Sequence, residues 1–313
     1  MKLRVLDLDG GLTVQPTLRR QRPEIVPCQG WGPRIRPACS FGRFRRFEAS
    51  LAIRLGEKKD SEPKLTFVGS GDFHHVSLAL LRRIAEPFNL LVIDNHPDWM
   101  RGIPVLHCGT WVWHACRLAN VRRVYHVGGD VDFDNGFRFL APWSALTSGR
   151  ITAFPAVRKF RGSGWRSVPH EPLRPAPEER LTVARLAELL QPHERALAQR
   201  PLYISLDKDV MTTEDAVVNW DSGHLTLAEV RDILAGFVRA ADGRLAGMDV
   251  VGDWSTVNVK GWFRRILHYT EHPPLRIAPH EALSVNDHTN QVLLDTLASL
   301  GAYSLVNSRR AAS

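Results

Sequence analysis

The sequence holds no apolar run approaching the ~18 residues that a membrane-spanning helix needs, so no membrane partner is expected. Its first residues, MKLRVLDLDGG, place Asp7 and Asp9 where a secretory leader carries an apolar core. They do not read as an export signal; they read as a first strand, Leu3 to Leu8. Cysteine is scarce. Cys28, Cys39, Cys108 and Cys116 form no CxxC pair and no zinc-finger spacing, which reads as reduced thiols in a cytoplasmic protein. There is no internal repeat and no long low-complexity tract. No G-x-S-x-G turn surrounds Ser205, which argues against a serine nucleophile there.

Acidic residues are in the minority: 41 Lys and Arg face 33 Asp and Glu, a net charge of +8. Much of the excess sits in one segment, TLRRQRPEIVPCQGWGPRIRPACSFGRFRRF (17–47). Arginines interleaved with aromatics can grip an anion. No nucleic-acid-binding motif is recognisable there, so a nucleic-acid partner is not expected. The segment reads as a Pro/Gly-rich excursion at about 15–50 with a solvated basic face. A long irregular stretch of this kind is often a binding loop or lid.

What the chain does have is 313 residues with 44% hydrophobic content, enough for a sizeable core. Short apolar runs each end in a polar cluster. KLTFV (64–68) precedes GSGDFHH, and LLVI (90–93) precedes DNHPD. VRRVYHV (121–127) precedes GGDVDFD, LYISL (202–206) precedes DKD, and RLAGMDVV (244–251) precedes GDWS. Helix-like stretches lie between them, clearest at 76–86 and at 225–241, where Thr226 and Glu229 form a capping box. A last helix is expected to start at Asn286 or Asp287. Residues 155–180 read as a loop. Strands alternating with helices predict an α/β fold, a mostly parallel sheet covered on both faces. Ligands of such sheets bind beyond the carboxyl ends of the strands, where every polar cluster falls.

The densest cluster is DNHPD. Asp94, His96 and Asp98 have i, i+2, i+4 spacing, which in an extended segment points all three one way. Pro97 keeps His96 extended. Asp207 and Asp209 repeat this parity at another strand end, and His74 and His75 follow a third. Acidic groups gathered this closely repel one another unless cations sit among them. Carboxylates with one or two imidazoles suit Mn²⁺ or a similar ion rather than a thiolate-preferring metal.

The order DNHPD, HCGTW (107–111), GGDVDFD, SLDKDV and NWDSGHLTLAEV resembles the arginase/agmatinase ureohydrolase superfamily from about residue 64 to 255. That resemblance implies a three-layer αβα fold, here one arginase-like domain over 1–313, and a binuclear manganese centre. It implies a homo-oligomer and a small-molecule substrate. By the same resemblance Asp94 and Asp207 are bridging carboxylates, and His96 and Asp209 are terminal ligands of one ion. Asp98 and a histidine of GDFHH serve the other. His74 is favoured and His75 kept as the alternative, because GSGDFHHVS is two residues longer than the family's GGDHS. The implied reaction is hydrolysis of a C–N bond in a guanidine, amidine or related substrate by a hydroxide shared between the ions. Asp98 takes a hydrogen bond from that water and His107 shuttles a proton to the departing amine. Asp130 is the expected pocket contact in GGDVDFD, Asp132 and Asp134 fixing the loop. Ser205 is expected to support the site by hydrogen bonding.

One departure stands out. Arginase-like enzymes usually carry a glutamate in a D-x-x-E arrangement after the strand matching RLAGMDVV, gripping the substrate guanidinium. Here Gly252 holds that place, with Asp253 one residue later as a substitute of shorter reach. Trp99, Trp111, Trp113 and Trp254 flank the motifs, as core packing or as a pocket wall. Two other functions stay open: a deacetylase-like amidohydrolase with one zinc, and a metal-binding member with altered catalysis.

Overall fold

The structure is a computed structural model. It describes residues 1–56, 62–129, 136–156, 171–174, 176, 178–258, 261–262, 265–266, 272 and 277–305. Most of the stretch 155–180 and Asp130, Asp132 and Asp134 lie outside these residues.

The strands are β1 (Lys2–Asp7), β2 (Glu24–Pro27), β3 (Ala38–Cys39), β4 (Lys64–Gly69), β5 (Phe88–Ile93), β6 (Leu106–His107), β7 (Val121–Val127), β8 (Ile151–Phe154), β9 (Leu202–Asp207) and β10 (Leu245–Val251). Eight of them form one sheet in the order β2-β1-β4-β10-β9-β5-β7-β8, with every pairing parallel. β3 and β6 pair separately, antiparallel.

Period-two alternation loads both faces of the sheet. In β5, Phe88, Leu90 and Val92 pack into one core with Phe44, Phe47, Leu81 and Trp111. Leu91 and Ile93 pack into the other with Leu190, Val230, Phe237 and Leu293. Helices therefore cover both faces, giving three layers. A strand buried on two sides needs apolar residues at nearly every position, and β5 and β9 have them.

Three segments differ from the sequence expectation. The basic stretch 17–47 is not an irregular loop. It supplies β2 to the sheet edge, the short helix Gly32–Ile35 and the start of the helix Phe41–Leu55. That helix buries Phe44, Phe47 and Leu51 while Arg45 and Arg46 stay exposed. The helix expected at 76–86 is shorter, Ser77–Leu81, preceded by a 3-10 turn Gly71–Val76. Pro87 disfavours a helical Glu86, and the chain turns instead into β5. The last helix starts at Pro279, well before Asn286. Proline suits the first helical position, and Glu281 accepts the Ala278 N–H at 3.1 Å, which closes that end. The helix Leu227–Ala240 has the expected cap: Thr226 Oγ1 accepts the Glu229 N–H and Glu229 accepts the Thr226 N–H.

Candidate metal centre

β4, β10, β9 and β5 lie side by side at the centre of the sheet, and their carboxyl ends bring the predicted residues together. The turn after β4 carries His74, the extension of β9 carries Asp207 and Asp209, and the segment after β5 carries Asp94, His96 and Asp98. Two groups of three could each hold an ion: His74, Asp94 and Asp98, and Asp94, His96 and Asp209. Asp94 belongs to both. His74 Nδ1 lies 3.1 Å from Asp94 Oδ2, 3.1 Å from Asp98 Oδ2 and 3.4 Å from Asp207 Oδ2. His96 Nδ1 lies 2.8 Å from Asp209 Oδ2.

Local backbone bonds set these positions. Asp94 Oδ1 accepts the His96 N–H at 2.7 Å, and Asp207 Oδ1 accepts the Asp209 N–H at 3.0 Å. Each carboxylate thus holds the residue two ahead, which keeps alternate side chains on one side. Asp209 Oδ1 accepts the Asn95 N–H at 3.1 Å, tying the two strand ends. Asp98 takes a left-handed backbone with φ +50°, and the Trp111 indole N–H donates to its Oδ2 at 2.8 Å. Gly129, at φ +65°, leaves no room for a side chain against the Asn95 carbonyl.

The ring of His74 is fixed from behind. Its Nε2 bonds Ser205 Oγ at 2.9 Å, and Ser205 donates to Asp249 Oδ1 at 2.7 Å. Asp249 also accepts from Tyr203 and Ser77. With Nε2 engaged there, Nδ1 faces the carboxylates. His75 goes elsewhere: it is fully buried 5.9 Å from the Phe44 ring, and burial lowers its pKa to about 3. The 3-10 turn places His74, not His75, in the cluster.

The donor set fits divalent cations. Asp94, Asp98, Asp207 and Asp209 are all buried. His74 Nδ1 and Asp94 Oδ2 are buried with no hydrogen-bond partner, and an ion between them would satisfy both. Burial, then the charge of Asp98, pushes the Asp94 carboxyl up to about 7. Burial and Asp207 push Asp209 well above the carboxylate range. Burial opposes protonation of His74, yet Asp207, Asp94 and Asp98 hold its pKa well above the ordinary value. Burial likewise opposes protonation of His96, and Asp209 raises it.

These shifts share one sign. A group whose pKa is raised on folding stabilises the fold below its unfolded pKa, and that contribution is lost as pH rises through the folded value. For the carboxyls the window runs from ~4 up through about 7 for Asp94; for the histidines it opens near ~6.5. The melting temperature of chelator-treated protein is expected to fall steadily between about pH 5 and 8. Excess Mn²⁺ should abolish that slope, because bound cations replace the protons. Calorimetry across pH with and without chelator checks this; equal slopes would count against the cluster as a cation site.

Several residues around the cluster carried no site assignment in the sequence reading. Asp221 Oδ1 lies 3.1 Å from His96 Nε2, the outer carboxylate that a ligating histidine usually has. Trp220 packs against His96, His107 and His272 at centroid distances of 6.1, 6.4 and 4.7 Å. Its indole N–H donates to Asp72 Oδ1 at 3.0 Å, and His272 Nε2 lies 2.7 Å from the same oxygen. Asp72 also pairs with Arg36. Trp220 and Asp221 belong to the NWDSGH motif itself (219–224), which was the available signal. Trp99 and Trp111 are buried, and Trp111 meets both core and site. Trp113 stacks under Arg117 at 5.5 Å.

His107 is half-buried at the start of the turn after β6. Its Nδ1 accepts the Gly109 N–H at 3.0 Å, which leaves the neutral ring's proton on Nε2. Asp253 lies in the interior, its Oδ2 buried without a hydrogen-bond partner. It is fully buried, and its Oδ1 accepts from Lys208 Nζ at 2.8 Å, Gln15 Nε2 at 2.7 Å and Asn290 Nδ2 at 3.2 Å.

A parallel α/β sheet carries a buried aspartate–histidine cluster across its central strand ends. More specifically, the chain has the arginase fold. It superposes on arginase from Bacillus subtilis with a TM-score of 0.53, at 11% identity, covering 94% of this chain and 98% of that one. It superposes on arginase from Bacillus caldovelox with a TM-score of 0.51, at 13% identity, covering 97% and 99%. By sequence it is 23% identical over 189 residues to an uncharacterized protein of Thermotoga maritima. That match takes in 60% of this chain and 58% of the relative's length. No protein-family model matches the sequence.

Proposed function

We propose that the protein is a divergent member of the ureohydrolase superfamily, a binuclear manganese-dependent hydrolase that cleaves a C–N bond at an sp² carbon of a small molecule. The observation that carries this is the pair of overlapping aspartate–histidine groups joined at Asp94. A single-zinc deacetylase would have no use for the second group. His74, Asp94, Asp98 and Asp207 would hold one ion and Asp94, His96, Asp207 and Asp209 the other. Two ions there would lower the pKa of a shared water toward neutrality and polarise the carbon under attack.

The chain's own residues supply the rest. Trp111 fixes the Asp98 carboxylate, which stands ready to accept a hydrogen bond from the attacking water. Ser205 and Asp249 hold the His74 ring. Trp220 packs against both His96 and His107. His107 holds a proton on Nε2 for the departing nitrogen. Its replacement in His107→Asn is expected to lower kcat by ~10²–10⁴-fold with unchanged manganese content. Loss of metal in that variant would assign His107 to the ligand set instead. Among the described residues no helix is long and apolar enough to cross a membrane. The four cysteines are free and buried, and the same proposal places the protein in the reducing cytoplasm.

The test of the reaction class is direct. Protein loaded with Mn²⁺ should contain about two ions per chain by elemental analysis and release ammonia or urea from a panel of guanidines, amidines, amides and ureides. A single tightly held zinc, or two ions with no turnover on any of these, would overturn it.

A further inference from the structure

Resting on the metal-centre reading above, we infer that His126 is a positioning residue for that centre. Its ring holds the backbone of His96, and through it the ion that Asp94, His96 and Asp209 would share.

The observation begins with a break in pattern. Along β7, Val124 packs into the core that holds Phe44, Trp99 and Trp111, while Tyr125 and Val127 pack into the opposite core. Position 126 points with Val124, so the alternation calls for an apolar residue there. It holds instead a fully buried histidine, 5.3 Å from the Trp99 ring. The Nδ1 of that histidine is buried without a hydrogen-bond partner, which costs stability. A phenyl ring would fill the same place without that cost. What the imidazole adds is at its other nitrogen: Nε2 lies 2.8 Å from the His96 carbonyl oxygen. A carbonyl can only accept, so Nε2 carries the proton and Nδ1 is bare.

The donated bond completes a mould. The β5–β7 ladder ends at Ile93 and Val127, and the Asp94 N–H then donates to the Val127 carbonyl at 3.0 Å. Beyond that point the N–H groups turn to carboxylates, Asn95 to Asp209 and His96 to Asp94, and Pro97 has none. The carbonyls rest on the exit of β7. A Cβ on Gly128 would lie 3.0 Å from the Asp94 oxygen, and one on Gly129 2.2 Å from the Asn95 oxygen, so bare backbone presses against both. The third carbonyl in the row, that of His96, meets the His126 N–H. Asp94 is held by its ladder bond. Asp98 is held by the Trp111 indole and by the Val112 N–H on its carbonyl at 2.9 Å. The peptide plane of His96 lies between these anchors, and it sets where Nδ1 stands against Asp209, now 2.8 Å away. Loss of the His126 bond therefore falls on the ion that His96 serves and spares the one held by His74, Asp94 and Asp98.

Manganese titration of the full chain by calorimetry tests this. His126→Phe keeps a ring against Trp99 and removes the donor; His126→Gln restores an N–H. His126→Phe is expected to weaken one of the two ions by at least about tenfold and to leave the other within about twofold, and His126→Gln should recover most of the loss. Added to His96→Asn, His126→Phe should change nothing further, since the bond then has no ligand to position. Unchanged affinity for both ions, equal weakening of both, or no recovery with glutamine would overturn the inference. Nitrogen NMR of the metal-free native chain reads it without any substitution: the Nε2–H tautomer of His126 is expected, and the Nδ1–H tautomer overturns it. Two bound ions without turnover would end the hydrolase reading and leave this one standing, because no arm measures activity. A native chain that binds fewer than two ions would end both, a result distinct from two ions indifferent to position 126.

Discussion

Replacing Asp94 with alanine is expected to take the manganese content from about two ions per chain to less than one and to abolish hydrolysis. Asp94 is the one residue common to both candidate groups, so its removal strips a ligand from each ion at once. Asp207→Ala should act alike. Its Oδ2 faces His74 at 3.4 Å and its Oδ1 positions Asp209 through the backbone N–H. Asp221→Ala makes the informative contrast. Asp221 touches the cluster only through His96 Nε2, so its loss should weaken metal affinity by ~10–100-fold while leaving full stoichiometry at saturating Mn²⁺. Elemental analysis after dialysis, with titration of the re-added ion, reads all three. Unchanged stoichiometry in both Asp94→Ala and Asp207→Ala would end the bridging assignment.

The cluster was legible in sequence because strand ends leave a simple trace: a buried apolar run, then acids at alternate positions. The chain has little freedom in such a place. Asp94 and Asp207 each hold the residue two ahead by a backbone bond, so spacing translates almost directly into geometry. His74 and His75 could not be separated by spacing, because a 3-10 turn rather than a strand carries them, and only its rotation decides which ring faces the acids. The last helix was read too short for a related reason. Its N-terminal half buries Ala282, Asn286, Thr289 and Asn290, and buried leucines enter only from Leu293 on. Asn286 bonds the Val217 backbone and Asn290 reaches Asp253. A helix whose first buried positions are mostly asparagine and threonine shows its apolar stripe only in its second half. Lys208 was hidden by composition: a lysine beside two aspartates reads as their solvated partner, whereas its ammonium turns inward to Asp253.

Arginine at position 36 was concealed most thoroughly, inside a run that reads as a solvated basic face, and it yields a second large expected effect. Its guanidinium is buried and pairs with Asp72, lies 3.4 Å from Asp9 Oδ2, and donates to Ser255 and Ser70 at 3.1 Å each. It also stacks on the Phe73 ring at 5.2 Å. Arg36→Met should cost about 3–5 kcal/mol, the usual consequence of leaving a buried charge without its partner. Arg45→Met, on an exposed face of the helix Phe41–Leu55, should change stability by no more than about 0.5 kcal/mol. The pH dependence separates lost charge from lost packing. Burial would raise the Asp72 pKa, but Arg36 and then His272 hold it well below the carboxylate range. A pKa lowered on folding contributes stability above the unfolded value, lost as pH falls through the folded one. Without Arg36 that contribution disappears at neutral pH, and the stranded carboxyl can relieve itself by taking up a proton. The deficit of Arg36→Met relative to the native chain should therefore be largest near neutral pH and shrink as pH falls toward ~4. Denaturant unfolding of both proteins across that range measures it. A deficit independent of pH would mean that Arg36 acts through its contact with Phe73 and not through the charge of Asp72.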